Sequence, residues 1–320
     1  MRRGGLGDRV LAPDSGGDVS RILRPGRGKM RRWTFMFFWI VIGAAGPSDA
    51  LDEVIPLEPP SFFVQLAGGY AYRDIDAAST SSQSFAGEEI QEWAADGRIT
   101  IPIRWGLGVR AQAAGDGANS KFDTGSRFEL VGAGGEAQLF WRDPTKGQIG
   151  LGYGYSWLTS TTPSSIDSVR IQSLPVYASL YMPSMNGVAV DWNAAFRYDF
   201  LSLQSAGGNV NQWAYEATAS SIWYVNDLAS FEAGVRYERL IKDQQEDVLE
   251  GKFSLEMLIP TGGDRFFGSL ALAGGVGRAE RMDLAPPTPS VSSLTWRVGV
   301  QATVFFPGVQ SLLELNRAYR

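Results

Sequence analysis

From Ser61 onward the chain alternates between apolar and polar positions with a period of two, the signature of strands whose two faces meet different surroundings. Between Gln148 and Trp157, one face carries Ile149, Leu151, Tyr153, Tyr155 and Trp157. The other carries Gln148, Gly150, Gly152, Gly154 and Ser156. Elsewhere the second face is charged. Val190, Trp192, Ala194, Phe196, Tyr198 and Phe200 alternate with Asp191, Asn193, Ala195, Arg197 and Asp199. Phe231, Ala233, Val235 and Tyr237 alternate with Glu232, Gly234, Arg236 and Glu238, and Phe253, Leu255, Met257 and Ile259 with Lys252, Ser254 and Glu256. Near the end, Trp296, Val298, Val300, Ala302, Val304 and Phe306 alternate with Arg297, Gly299, Gln301 and Thr303.

A soluble sandwich alternates too, but its strands run to roughly five or six residues. Here the alternation persists for about twelve, the length of a tilted membrane strand, and aromatic residues gather near strand ends as at a lipid–water interface. Short links are expected at Pro102–Gly106, Arg142–Gly147, Pro183–Gly187, Val225–Leu228 and Pro260–Arg265. Longer ones are expected at 75–90, 115–126, 159–167, 202–210, 241–247 and 280–290. The two kinds alternate, which predicts an all-β transmembrane antiparallel up-and-down barrel of about twelve strands over 61–306, with short periplasmic turns and long extracellular loops. Both barrel ends then lie on the periplasmic side, and 307–320 forms a periplasmic tail with a turn or two of amphipathic helix. The weakest strand is 168–182, where Pro175 predicts a bulge.

The start of the chain reads as an address. Met30-Arg31-Arg32 precedes an apolar run from Trp33 to Ala45, and small residues at Ser48 and Ala50 complete a signal peptide over 30–50, cleaved near Ala50. Residues 1–29 are Arg- and Gly-rich without periodicity and are set aside as an N-terminal extension, with 51–60 a short extended leader. The whole chain has 29 basic and 34 acidic residues. The first fifty hold 9 and 4 of these, so the remainder carries 20 and 30, a net charge of −10. Such an acidic body is a poor partner for nucleic acid. No run of eighteen apolar residues predicts a membrane helix.

Cysteine and histidine are both absent. There is no disulfide framework, no thiolate or imidazole metal ligand, and no imidazole base for a Ser-His or Asp-His pair. The chain is therefore expected not to be an enzyme, and no cofactor or metal is expected. Gly132-x-Gly134-x-x-Ala137 mimics a dinucleotide fingerprint, but strand alternation continues through Leu139 and Trp141 where the fingerprint needs a helix. Gly274 to Gly277 fails for the same want of a helix. Glu232 and Glu238 are read as structural carboxylates, and Asp243 to Asp247 as a solvated acidic loop. The inward charges carry the functional reading. The lumen is predicted to receive Arg98, Arg110, Glu136, Asp191, Arg197, Glu232, Arg236, Glu238, Lys252, Glu256 and Arg297 as pore-lining candidates, with Arg73, Glu92, Asp96, Asp199, Glu216 and Glu250 beside them.

The segment Gly132 to Tyr155, in which a strand ends in Leu139-Phe140-Trp141-Arg142-Asp143-Pro144 and a Gly/Tyr-rich strand returns, resembles porin-like outer-membrane proteins of proteobacteria. Gly97 to Ile103, before a strand opening at Gly106, is similar to the first hairpin of that group. The resemblance covers about 90–306. It implies the fold and a place in the outer membrane, among lipids and lipopolysaccharide, after delivery by the barrel-assembly machinery. Arg297, Gly299, Ala302 and Val304 resemble the terminal assembly signal of such barrels, departing from it in the small Ala302 and in the residues that follow. Two readings stay open: a narrow channel for small polar solutes, and a structural or surface-interaction barrel without transport.

Overall fold

The computed structural model describes residues 62–319 apart from 80–83, 86, 124, 126, 162–165, 184–187, 206–207, 242–243, 261–262 and 284–290. The expected extension, signal peptide and leader lie outside the described residues. Twelve long strands follow one another: β1 Phe63–Ile75, β2 Glu88–Pro102, β3 Leu107–Phe122, β4 Arg127–Asp143, β5 Gly147–Ser160, β6 Ile166–Tyr181, β7 Ala189–Ser205, β8 Gly208–Asn226, β9 Ala229–Ile241, β10 Gln244–Leu258, β11 Phe266–Asp283 and β12 Val291–Val309. Each pairs antiparallel with its sequence neighbours, and β1 pairs with both β2 and β12, closing the barrel. Closure satisfies every edge, which a lipid-embedded sheet requires.

The long/short alternation of links is only partly realised. Short turns do join β2–β3, β4–β5 and β8–β9. In the second, Asp143 accepts from the Thr145 amide at 2.9 Å and hydroxyl at 2.6 Å, which holds its carboxyl below the usual range. Gly147 follows at φ 149°, where a Cβ would stand 2.1 Å from the Ser179 carbonyl oxygen. Three expected long loops, 115–126, 202–210 and 241–247, are instead largely strand: β3 runs to Phe122, β7 to Ser205, and β10 begins at Gln244. Beyond the lipid both faces of a hairpin meet water, so apolar alternation stops while the backbone ladder continues. The first long link does carry its own small hairpin, Ala78–Ser79 against Ser84–Phe85.

Two further expectations are corrected. Pro175 makes no bulge. The β5–β6 register is the same at Leu151↔Val176 and Gly154↔Ser173, and pairing is merely interrupted between them, where proline has no N–H to give. Between β6 and β7 the register shift lies at Ile166/Ser168, away from the proline. The tail does not begin at 307 either. Pro307 to Val309 belong to β12, and an α-helical turn Leu312–Glu314 running into a π-helical turn Leu315–Tyr319 follows, with Leu312, Leu313, Glu314, Leu315, Arg317 and Ala318 buried.

The outer face is apolar. Leu66, Leu139, Leu151, Val235, Leu249 and Val304 are each more than half exposed, and dozens of large apolar side chains share that face. A soluble monomer rarely exposes patches beyond a few hundred Å². Aromatic rows bound the belt. Trp223 stacks on Phe231 at 5.6 Å near the short-turn end. Phe200–Trp213 at 4.9 Å, Tyr215–Tyr237 at 6.0 Å and Tyr72–Trp296 at 5.2 Å lie toward the other. Ten residues separate Trp213 from Trp223. At about 3.3 Å per residue and a tilt of about 40°, the rows stand about 25 Å apart, the height of a barrel's lipid-facing band.

Candidate functional site

Because cross-strand partners share a face, the registers fix what points inward. Along β8–β11 the inner face carries Glu216, Thr218 and Ser220, then Glu232, Gly234, Arg236 and Glu238, then Glu250, Lys252 and Ser254, then Ala273, Gly275 and Gly277. All eleven pore-lining candidates stand on this inner face, but they do not gather into one site.

Arg236 is the hub of one wall. Its Nε lies 3.0 Å from Glu216, Nη2 2.9 Å from Glu238, and Nη1 3.6 Å from Glu250. Glu250, 3 % exposed, also lies 3.5 Å from Arg297 Nε, and Lys252 Nζ sits 2.9 Å from Glu232. Gly275 stands between Lys252 and Arg297 in the ladder, and a Cβ there would lie 2.0 Å from Glu250 Oε1, so glycine clears the approach of that carboxylate. Glu256 accepts from the Ser269 hydroxyl at 2.6 Å.

The other wall is held by neutral groups as much as by charges. Arg98 donates to Gln112 at 3.2 Å, and Arg110 to Gln138 at 3.2 Å and the Tyr177 hydroxyl at 3.3 Å. Glu136 accepts from Gln138, and Arg197 binds Asp199 and the Ser173 hydroxyl, both at 2.8 Å. Between the walls lie two cavities, of about 470 and 260 Å³. The larger is bounded mostly by small residues, with Glu92, Asp116, Arg297 and Gln301 among them. The smaller adds Gln112, Glu136 and Arg197, and Asp116 lines both. Glu92, Asp96 and Asp116 make no ion pair among the described residues.

Asp191 stands apart from these networks, at the short-turn end, where it is 2 % exposed. It accepts from the Tyr224 hydroxyl at 2.8 Å and from Arg317 Nε and Nη2 at 3.0 and 2.6 Å. Arg317 belongs to the terminal helix, which the sequence pattern assigns to a periplasmic tail. That helix lies across the mouth. Leu312, Leu313, Leu315 and Ala318 pack in one apolar cluster with Phe63 of β1, Ala189 of β7, Tyr224 of β8, Leu258 of β10 and Phe305 of β12. Arg142 of β4 donates to the Ala318 carbonyl, Arg317 to the Met182 carbonyl at 2.8 Å, and the Leu312 amide to the Asp227 carbonyl at 2.8 Å. The signal that could have found it is the run Leu312-Leu313-x-Leu315, too apolar for a tail in water. At the loop end a smaller inner cluster joins Ile75, Val248, Ala279 and Val291, with Ile90 against it.

Chemically, these side chains can pair, hydrate and repel ions. Among the described residues no cluster of His, Cys, Asp and Glu could hold a metal. Of the Asp243–Asp247 stretch, Asp243 lies outside the described residues, Gln244 to Asp247 open β10, and Asp247 is bound in fork geometry by Arg239 at 2.6 and 3.0 Å.

No family profile matches the chain, and no curated protein is similar to it. Solved structures are similar in fold. The COG4313 outer membrane channel from Pseudomonas putida F1 aligns with a TM-score of 0.55 at 12% identity, over 79% of this chain and 100% of that one. The translocator domain of the autotransporter NalP from Neisseria meningitidis aligns at 0.47 and 12% identity, over 85% and 96%. A Pseudomonas aeruginosa FadL homologue aligns at 0.44 and 10% identity, over 77% and 90%. The fold is that of outer-membrane β-barrels.

Proposed function

We propose that this chain is a porin-like barrel of the outer membrane that forms a narrow channel for small polar solutes. The observation that carries the reading is a polar, partly open interior inside a closed barrel whose outer face is an apolar belt about 25 Å high between aromatic rows. A passive scaffold has no need of cavities lined by ionisable groups. The similarity to a protein described as an outer membrane channel agrees with it.

Export through a signal peptide cleaved near Ala50, assembly by the barrel-assembly machinery through the Arg297–Val304 strand, and residence among lipids and lipopolysaccharide belong to the same proposal. So does a non-enzymatic role, since Glu232 and Glu238 are each held by a cation rather than poised beside a nucleophile. The rival, a structural barrel without transport, draws on the capped short-turn mouth and the ion-paired wall. Reconstitution into planar bilayers separates the two. Discrete conductance steps, from the full chain or from variants freed at that mouth, support the channel; silence from all of them leaves the structural barrel.

A further inference from the structure

We infer that the terminal helix, Leu312–Tyr319, is the gate of the barrel: it stoppers the short-turn mouth and its release opens the lumen. This rests on the channel reading and specifies how that channel is regulated.

The geometry makes it a stopper and not a tail laid along one wall. Its partners come from β1, β4, β7, β8, β10 and β12, on all sides of the closed ring, so the segment has to span the opening. A helix with side chains is about 10–12 Å across, the scale of the interior of a small barrel. The apolar side is fully withdrawn from water, with Leu312 and Leu315 at 0 % exposure. At this level of the otherwise polar lumen the inner face turns apolar, and Phe63, Ala189, Leu258 and Phe305 receive the leucines.

The charged side supplies a point of release. Asp191 and Arg317 are both nearly dry and close at 2.6 Å, and removing one member of such a pair strands the other without water. Opening rehydrates both ions, so that pair can be lost without unfolding the ladder. The other polar pins include the main-chain Ala318 and Met182 carbonyls and Leu312 amide, and a side-chain hydrogen bond between Asn316 and Tyr224; water can replace each of them. Only Gln310 and Ser311 join the helix to β12, so it can swing out while Val309 stays paired with Phe266.

The test compares three proteins in planar bilayers, each first shown to be folded by heat-modifiable gel migration. They are the full chain, a chain ending at Val309, and Arg317→Ala in the full chain. A fourth, Asp227→Cys with Leu312→Cys, uses the absence of native cysteine. The backbone hydrogen bond between those residues brings their Cα atoms to about 5–6 Å, within disulfide reach. Expected are rare or no openings from the full chain, steady conductance from the truncated one, and a closed-to-open ratio lowered by at least about tenfold in Arg317→Ala. The oxidised cysteine pair should be silent and regain the full chain's behaviour on reduction. If the full and truncated chains conduct equally, or the locked chain conducts, the gate is wrong and the channel stands. If no protein conducts, gate and channel both fall. Should truncation prevent folding, Arg317→Ala and the cysteine pair decide the matter alone.

Discussion

Replacing Arg236 with methionine keeps an unbranched apolar stem and removes the cation that, among the described residues, touches Glu216, Glu238 and Glu250 together. Removing one partner from a fully buried pair costs about 3–5 kcal/mol. That figure applies only to Glu250, 3 % exposed, and even there Arg297 remains at 3.5 Å. Glu216 and Glu238 have 32% and 36% of their side chains exposed, so water takes back most of what they lose, and each adds only about 0–1 kcal/mol. The expected loss is thus about 2–3 kcal/mol for the folded barrel. Urea unfolding in lipid vesicles, followed by tryptophan fluorescence and gel shift, reads it directly. Arg236→Lys keeps the charge but cannot reach three carboxylates at once, and should cost about half as much. Adding Glu250→Gln to Arg236→Met should restore part of the loss, because the most deeply buried repelling charge has gone. A change under about 0.5 kcal/mol in Arg236→Met, with Glu250→Gln additive to it, would refute the hub.

Leu151→Arg, on the lipid face near the middle of β5, should lower unfolding stability by about 2–4 kcal/mol in vesicles, whereas exchange of the inward Ser156 for Thr should stay within about 0.5. Equal effects would mean the belt does not face lipid. The double variant Glu92→Gln with Asp116→Asn removes two unpaired carboxylates from the larger cavity, and the reversal potential of an open variant in a salt gradient should move toward anions. An unmoved potential would mean that ions do not pass that wall. Gly275→Leu should break the Glu250–Arg297 contact and destabilise the barrel like Arg236→Met, by about 2 kcal/mol or more.

The face of each residue is legible because period two is strict wherever one side meets lipid: Trp192 and Asp191, or Val235 and Arg236, differ so sharply that register leaves no choice. Strand ends are less legible. Lys121, Phe122 and Gln204 pair like any strand residues but sit where both faces are wet, so nothing in their side chains marks the ladder. Pro175 misleads for another reason. A missing N–H looks in sequence like an extra residue, whereas the chain tolerates two unbridged positions without changing register. Which charges meet is beyond the pattern altogether, since Asp191 finds its partner 126 residues away in the terminal helix.

The interior divides by side-chain size, and this decides where a solute can go. The wall built by Arg236, Glu216, Glu238, Glu250 and Lys252 fills its half of the lumen with paired, immobile charges. Across from it, Ala71, Ala94, Ala118, Ala271 and Gly299 leave the larger cavity. Any passage is therefore eccentric, running beside β1, β2, β3 and β12, and its field is uneven. Glu92, Asp96 and Asp116 contribute charge that no described cation offsets, while Arg297, on the far rim, is already turned toward Glu250. A solute entering from the loop end meets the inward Glu88 and Glu246 beside the apolar residues Ile75, Ile90 and Val248. Beyond the carboxylates it reaches the terminal helix. On the channel reading, an eccentric acidic passage that ends on an apolar stopper cannot conduct by its width alone, and the state of the helix, rather than the bore of the barrel, would set the flux.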